Sequence, residues 1–291
     1  EMCIRDSINT CTDLQNMRDN LTDNYQLTQN IDCSGITNFE PVGGSDVEYY
    51  SGVERFFGNF EGNQFTISNL TINRALDGAG LFSRSDGNIS NLKIINANVT
   101  TSANYAGILS GVKRGGDVRQ VMVSGIVNGA SDVGGIIGRM GEGDMINSYS
   151  LGTVIGTQTV GGLVGMNYKS ITIRDSFTAA SVSSTGNYVG GLSGSQDQGD
   201  HINTFVSNSA SGVGGSVGGV TGWINSGSNT NVYWNNKGDN PATSVGTGST
   251  AGITTISDNE AHFYSGSNAP MSSWDSNWTF SGTGFPKLSF E

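Results

Sequence analysis

Six short segments of the chain share one pattern, in which a small residue and a glycine precede two mostly apolar residues. They read AGLF, AGIL, GGII, GGLV, GGLS and GGVT. The glycines at their second position are Gly80, Gly107, Gly135, Gly162, Gly191 and Gly219. Successive glycines are 27, 28, 27, 29 and 28 residues apart. A period that holds over five steps indicates a structural repeat.

A second pattern recurs roughly ten residues after each of these glycines and begins, in most copies, with an apolar β-branched residue. Its first residues are separated by 29, 28, 27, 29 and 28 residues. They are Ile89, Val118, Ile146, Ile173, Ile202 and Thr230. Two independent markers therefore give the same period.

Within each period, apolar and polar residues alternate over short stretches, as in Phe65-Thr66-Ile67. Alternation predicts β-strands, and the absence of an apolar stripe with a 3.6-residue period excludes helical repeats. The Leu-x-x-Leu-x-Leu frame of leucine-rich repeats is also missing. A unit of this length cannot bury a core alone and must stack on its neighbours. The sequence therefore predicts an all-β fold, a parallel β-solenoid with about three short strands in each coil of 27–29 residues.

The glycine pairs of the repeat lie where a coil has to turn. At such a point the backbone needs either a positive φ or the absence of a Cβ atom. The apolar residues that follow, Ile136, Leu163 and Leu192, are predicted to point into the core. A phosphate-binding loop is a poor alternative, because no Lys-Ser/Thr pair follows these glycines and no βαβ unit surrounds them. The six repeat glycines are therefore predicted to be structural.

The composition agrees with a β-rich fold that has many tight turns. The chain contains 44 glycines and only 13% charged residues. Its net charge is −11 and its pI is near 4.5, which argues against nucleic acid as a partner because no basic patch could neutralise phosphates. The sequence contains no apolar run of about 18 residues, so no membrane span is predicted.

The first seven residues, EMCIRDS, resemble the translated end of a transposon adapter used in sequencing. Residues 1–7 are therefore interpreted as non-native and the gene as a metagenomic fragment, and this segment is left out of the fold prediction. Without Cys3, the pair Cys11 and Cys33 remains. An even pair in a chain of this composition predicts a disulfide and an oxidising, extracellular setting, with two free buried thiols as the alternative.

Both ends of an open stack of coils need a cap, because unpaired strand edges invite aggregation. Residues 8–40 are predicted to form the N-terminal cap, made of a short amphipathic helix over 10–21 and the first strand. Thr10 and Asp13 match the spacing of a capping box. The disulfide would hold this helix against the first strand.

Aromatic residues concentrate near the C-terminus, beyond the last repeat at Trp234. The repeats are assigned to residues 41–235 and a C-terminal cap to residues 236–291. The aromatic residues are predicted to form the core of this cap. The alternative is a platform on which Trp274 and Trp278 stack against a carbohydrate.

Several of these segments resemble the GLUG repeat family. The match is close at VGGLVGMN (160–167), MINSYSLGTV (145–154) and YVGGLSG (188–194), and it extends in looser form over most of the chain after Ser7. The resemblance implies a right-handed parallel β-solenoid from an extracellular bacterial or archaeal protein, often adhesin-like. GLUG units also occur beside peptidase domains in immunoglobulin-cleaving surface proteases, but this chain has no His-Glu-x-x-His motif. The family has no established catalytic residue to carry over.

Charged residues gather in the connection before the second marker of each coil, and stacked coils would place them along one edge of the solenoid. They are Lys113, Arg114, Asp117, Glu142, Asp144, Lys169, Asp197, Asp200 and His201, together with Asn167. Three readings stay open: a solvated edge of mixed sign, a Ca²⁺ site built from Glu142, Asp197 and Asp200, or a catalytic edge with paired carboxylates. Asn147, Asn203 and Asn231 share one coil position and are interpreted as a structural amide ladder.

The sequence predicts a non-catalytic extracellular surface protein, or a fragment of one, that contacts a glycan, matrix or protein partner through one face. No catalytic residue and no cofactor are predicted, and Ca²⁺ is a weak candidate. The alternative is a polysaccharide-active enzyme, a lyase or glycosidase, or a carbohydrate-binding module on the same scaffold. The ligand and the oligomeric state stay open.

Overall fold

Parallel strands from successive coils pair in register along the chain in the computed structural model, which describes residues 6–44, 54–238 and 241–291. Val133, Val160, Val189 and Val217 follow one another in a single column, one coil apart. The described strand pairs between residues 75 and 235 are all parallel. The predicted parallel β-solenoid is therefore confirmed.

Three parallel sheets form the walls of the solenoid. The long sheet contains the strands Asp6–Ile8, Tyr25–Leu27, Ile31–Asp32, Phe60–Glu61, Thr66–Ser68, Thr71–Asn73, Ile89–Thr100, Val118–Asn128, Met145–Ile146, Tyr149–Gly156, Thr172–Arg174, Phe177–Thr178, Ser181–Ser184, Asp200–Ile202, Phe205–Val206, Ala210–Gly212, Asn229–Thr230, Val232–Asn236 and Ile253–Ser257. The second sheet contains Phe82–Ser85, Ser110–Lys113, Ile137–Met140, Val164–Asn167, Ser193–Gln196, Thr221–Ile224 and Val245–Thr247. The third contains Val133–Gly134, Val160–Gly161, Val189–Gly190 and Val217–Gly218.

Helical structure is sparse in the described part of the chain. It consists of the α-helix Cys11–Asn16 and the 3₁₀ helices Met17–Asp19, Glu260–Tyr264 and Met271–Ser273. Among the residues that the structure describes, no helix is long and apolar enough to cross a membrane. The strands Trp278–Thr279 and Lys287–Leu288 form a small antiparallel pair near the C-terminus.

The strand register corrects the second marker in three coils. Val118 pairs with Met145 and not with Ile146, and the column continues from Ile173 to His201 and Asn229. The sequence pattern favours β-branched residues, whereas the inward position of these coils holds Met145 and His201, both fully buried. Ile202 and Thr230 therefore lie one residue beyond the column.

Most of the repeat glycines are required by close backbone approach and not by a positive φ. A Cβ atom on Gly162 would lie 2.1 Å from the carbonyl oxygen of Gly191 in the next coil and 2.7 Å from Oγ1 of Thr178 across the interior. Gly135 and Gly191 face similar obstacles at 2.2 Å. The residues that follow the glycine pairs point inward as predicted: Ile136, Leu163 and Leu192 are fully buried.

The N-terminal segment is part of the stack as well as its cap. Asp6 and Ser7, from the segment interpreted as non-native, pair with Tyr25 and Gln26, while residues 1–5 lie outside the described residues. Thr10 caps the helix through the predicted capping box, and the helix ends earlier than residue 21. Cys11 and Cys33 are joined by the predicted disulfide.

The C-terminal segment lies along the side of the solenoid and does not close its end. Strands of the stack continue beyond residue 235, because Ile253–Ser257 pairs with Val232–Asn236. Residues 259–291, here named the strap, then cover the outer face of the long sheet. Their cover is needed because the outward column of that sheet carries large apolar side chains. This column contains Met122, Tyr149, Phe177, Phe205 and Tyr233.

The aromatic rings of the outward column continue into the strap. The Tyr149, Phe177 and Phe205 rings stack with centroids 4.6 Å apart at each step, and Phe263 of the strap lies 4.3 Å from Phe205. Phe177, Phe205 and Phe263 are fully buried. The strap therefore encloses a second hydrophobic core outside the solenoid.

Candidate functional site

A groove runs along the corner where the second sheet turns towards the long sheet. Two adjoining cavities form it and share Glu142, Tyr168 and Lys169. The residues that line the groove are Arg55, Asp86, Arg114, Gly141, Glu142, Tyr168, Lys169, Ser170, Asp197 and Gln198. This surface is called the polar groove below.

The regular stacking of the second sheet positions the lining residues. Ser85, Lys113, Met140, Asn167 and Gln196 occupy one column of that sheet in five successive coils. The residue after each of them leaves the sheet at the same corner. These following residues are Asp86, Arg114, Gly141, Tyr168 and Asp197. The groove is therefore a row of equivalent positions parallel to the solenoid axis.

Ion pairs link several of the charged side chains that line the groove. Nε of Arg55 lies 2.9 Å from Oδ2 of Asp86, and Lys169 pairs with Glu142 one coil away. The hydrogen bond and the charge of Lys169 lower the pKa of Glu142. Oδ1 of Asp86 is buried and has no hydrogen-bond partner among the described residues.

The ring of Tyr168 is supported from the second sheet. The guanidinium of Arg139 lies 5.7 Å from the centroid of the Tyr168 ring and 4.7 Å from that of Tyr105. Asp132 fixes this guanidinium by accepting a hydrogen bond of 2.6 Å from its Nε. Burial raises the pKa of Asp132, although the nearby Arg139 opposes this shift. Tyr168 is itself half-buried and lines both cavities of the groove.

Three residues assigned to the charged edge point into the interior instead. Lys113, Asn167 and His201 are all 0% exposed. The ammonium of Lys113 donates to the carbonyl oxygens of Gly87, at 2.6 Å, and Gly115. Burial lowers the pKa of Lys113 to about 7. The edge prediction is wrong for these residues, because alternation along the strand directs them inward while their neighbours reach the surface.

His201 belongs to a buried relay that resembles the arrangement of a hydrolase. Its Nε2 lies 2.8 Å from Oγ of Ser193, and its Nδ1 lies 3.0 Å from Oδ1 of Asn229. Nucleophile, base and orienting group in this order are the elements of a catalytic triad. Ser193 and His201 are fully buried, however, and burial lowers the pKa of His201 to about 4. A substrate cannot reach this serine. The hydrogen bonds among Ser193, His201 and Asn229 therefore serve to satisfy buried polar atoms.

The proposed calcium ligands already have other partners. Glu142 pairs with Lys169, Oδ1 of Asp197 accepts from Asn225, and Oδ1 of Asp200 accepts a 2.7 Å hydrogen bond from the amide of Ser228. Within residues 6–44, 54–238 and 241–291, no group of three His, Cys, Asp or Glu side chains could hold a metal ion. Glu142 and Asp197 do line one cavity, with Lys169 beside them. The structure therefore does not assemble the three carboxylates as a Ca²⁺ site.

The two tryptophans considered for sugar stacking pack against the solenoid. Trp278 is 5% exposed, and its Nε1 donates to Oδ1 of Asn147 at 3.1 Å. Nε1 of Trp274 donates to the carbonyl oxygen of Asn203 at 2.8 Å, and its ring stacks on Phe205. A stacking platform needs a free ring face, which Trp278 does not offer. Both residues instead attach the strap to the long sheet.

The asparagines proposed to form an amide ladder share a left-handed backbone conformation. Asn147, Asn203 and Asn231 have φ values of 50°, 51° and 55°. Asn231 donates to Asn203 at 2.9 Å, and Asn203 donates to Asp175 at 3.0 Å. Asn147 donates instead to Asp275 of the strap at 3.0 Å. Asparagine tolerates this backbone conformation better than most residues, which explains its recurrence.

Comparisons with known proteins find a partial similarity in sequence and a similar fold. No family model matches it. A stretch of 134 residues, 42% of the chain, is 37% identical to halomucin from Haloquadratum walsbyi (strain DSM 16790 / HBSQ001) and spans 1% of that protein's length. The crystal structure of a "putative immunoglobulin A1 protease" from Bacteroides ovatus aligns with a TM-score of 0.80 and 20% identity, over 100% of this chain and 94% of that chain. At this identity the similarity shows the fold alone.

Proposed function

We propose that this chain is a non-catalytic, extracellular GLUG-type solenoid that binds an extended partner through the polar groove. One observation carries the proposal. The groove contains a row of corner residues from five coils and combines a half-buried aromatic residue, Tyr168, with side chains of both charges. An extended ligand can contact such a row at several points, whereas a compact ligand would use only one.

Three features support an extracellular location. The Cys11–Cys33 disulfide requires an oxidising compartment to form and persist. Part of the chain is similar in sequence to halomucin. The segments that resemble GLUG repeats favour an adhesin-like surface protein. A net charge of −11 is compatible with this setting.

The groove is poorly suited to acid-base catalysis. A general acid at neutral pH needs a raised pKa, whereas Lys169 lowers the pKa of Glu142. The buried relay at Ser193 is closed to substrates. A polysaccharide-active enzyme remains the second candidate because the Glu142 and Asp197 carboxylates line one cavity.

Binding and turnover can be separated in one set of measurements. The purified chain would be tested against immobilised glycans and matrix proteins, and the supernatants analysed for released products. We expect a ligand whose binding is lost in Tyr168→Ala and kept in Tyr188→Ala, a half-buried tyrosine outside the groove, with no product. Product release that depends on Glu142 or Asp197 would establish the enzyme. Binding that is unaffected by Tyr168→Ala would refute the role of the groove.

A further inference from the structure

We infer that the polar groove takes a linear, uncharged, hydroxyl-rich polysaccharide that lies parallel to the solenoid axis. This inference rests on the proposed binding function and specifies its ligand. It follows from the charge balance of the groove, an unsatisfied acceptor, the aromatic floor and the length of the row.

The charges that line the groove cancel, although the protein as a whole is strongly acidic. Among the residues that the structure describes, the lining contains three cations, Arg55, Arg114 and Lys169, and three anions, Asp86, Glu142 and Asp197, which gives 3 − 3 = 0. The whole chain carries −11. An anionic polymer would be repelled by the protein and would find no net positive patch in the groove. A polycation would be attracted to the whole surface and not specifically to this corner.

The polar groups of the groove match hydroxyl groups. Oδ1 of Asp86 lacks a partner among the residues that the structure describes, although it is buried. Nε of Arg55 lies 2.9 Å from the other oxygen of this carboxylate, so the two side chains form an ion pair. A buried acceptor without a partner destabilises the free protein, and a ligand hydroxyl that donates to it removes this penalty. Sugar hydroxyls both donate and accept, so they can also bridge the Lys169–Glu142 pair.

Tyr168 provides the apolar part of the site. Carbohydrate rings present a C–H face that packs on an aromatic ring, and a tyrosine joins an apolar body to a polar end. Arg139, fixed by Asp132, lies against the ring and limits its movement, which lowers the entropy lost on binding.

The length of the row indicates a polymer. Five coils span four steps of about 4.8 Å each, or roughly 19 Å. This distance exceeds a single sugar ring and accommodates a short oligosaccharide. Affinity should therefore rise with chain length until the groove is filled.

One substitution can block the groove without removing a polar group. A Cβ on Gly141 would meet only the carbonyl oxygen of Lys113, at 3.7 Å, which is ordinary contact. Gly141→Phe therefore fits the backbone and fills the centre of the groove. Gly215 also has room for a side chain, since nothing lies within 4 Å of its Cβ position, and it lies outside the groove. Gly215→Phe is the matched control.

The test is calorimetric titration of the full chain with neutral cello-, xylo-, manno- and malto-oligosaccharides from disaccharide to octasaccharide. Uronic-acid and sulfated oligosaccharides of equal length form the comparison series. We expect at least one neutral series to bind, with affinity that rises with length and exceeds that of the acidic series. Gly141→Phe should weaken binding at least tenfold, and Asp86→Asn should weaken it severalfold. Gly215→Phe should bind like the unmodified chain.

The outcomes separate this inference from the proposed function. Groove-dependent binding of acidic glycans, or of a matrix protein alone, overturns the inference and leaves the binding function intact. Binding of neutral glycans that survives both groove substitutions overturns it as well. If no ligand of any class depends on the groove, both proposals fail. Circular dichroism checks folding, and should Gly141→Phe not fold, the isosteric Asp86→Asn decides.

Discussion

Replacing Lys113 by methionine tests how a lysine is tolerated inside the solenoid. Lys113 is fully buried, and the same column of the next coil holds Met140, also fully buried. Methionine therefore already fits this position of the repeat. Burial lowers the pKa of Lys113 from 10.5 to about 7, so the lysine is largely neutral in the folded chain above that pH. Its neutral amine still has two hydrogens for the carbonyl oxygens of Gly87 and Gly115.

The lowered pKa makes stability depend on pH. Between about pH 7 and pH 10.5 the unfolded chain binds the Lys113 proton and the folded chain does not. Stability therefore rises with pH in this interval, by up to about 1.4 kcal/mol per pH unit from this group. Lys113→Met removes this contribution. The substitution also removes the hydrogen bonds to the two carbonyls, which contribute about 1 kcal/mol each. This loss lowers the free energy of unfolding by an amount that varies little with pH. It therefore does not mask the change in the slope of stability against pH.

Urea unfolding at several pH values from about 7.5 to 9.5 measures the slope. We expect the free energy of unfolding of the unmodified chain to rise, relative to Lys113→Met, by about 2–3 kcal/mol over that interval. The control is Lys287→Met, which replaces an exposed lysine and should keep the slope of the unmodified chain. Equal slopes for the unmodified chain and Lys113→Met would refute the assignment of Lys113 as a buried neutral amine.

Three further substitutions test the stack, its cap and the strap. Gly162→Ala places a Cβ 2.1 Å from the Gly191 carbonyl oxygen and should cost about 1–3 kcal/mol in urea unfolding; an unchanged midpoint would contradict the close-approach explanation. Replacing Cys11 and Cys33 by alanine should cost about 3 kcal/mol in the chain-entropy model, a loss that reductant should reproduce in the unmodified chain and not in the variant. Phe205→Ala should cost about 3–5 kcal/mol and expose the strap to limited proteolysis, and a strap that stays resistant would argue against its attachment through this ring.

The predictable parts of the fold are those whose sequence pattern recurs in every repeat. The glycine column and the apolar residues after it recur in six coils, and in four of them a Cβ atom on the glycine would meet the carbonyl oxygen of the next glycine in the column. The capping box at Thr10 and the Cys11–Cys33 pair are local signals that need no knowledge of the fold. Periodic and local signals together identified the solenoid and its first helix.

The parts that could not be predicted depend on which way single residues face. Lys113 and His201 look like surface residues because their side chains are polar, yet strand alternation directs them inward. The position of the strap depends on the outward aromatic column, which becomes visible only after the register is known. Asp86 and Tyr168 of the groove were missed for the same reason, since the corner they share is defined by the strand ends of five coils.

The geometry of the solenoid wall also supports our proposal that this groove binds a ligand and does not catalyse a reaction. Stacked coils repeat each surface position about every 4.8 Å, so they build rows of similar contacts and no enclosed chamber. A catalytic site needs preorganised groups in a volume from which water is excluded. Ser193 and His201 have such surroundings, but they lie behind the wall, where no substrate can reach them. The groups that a partner can reach, including Tyr168 and Lys169, lie in the open row. Many modest contacts along an extended ligand are what this arrangement supports.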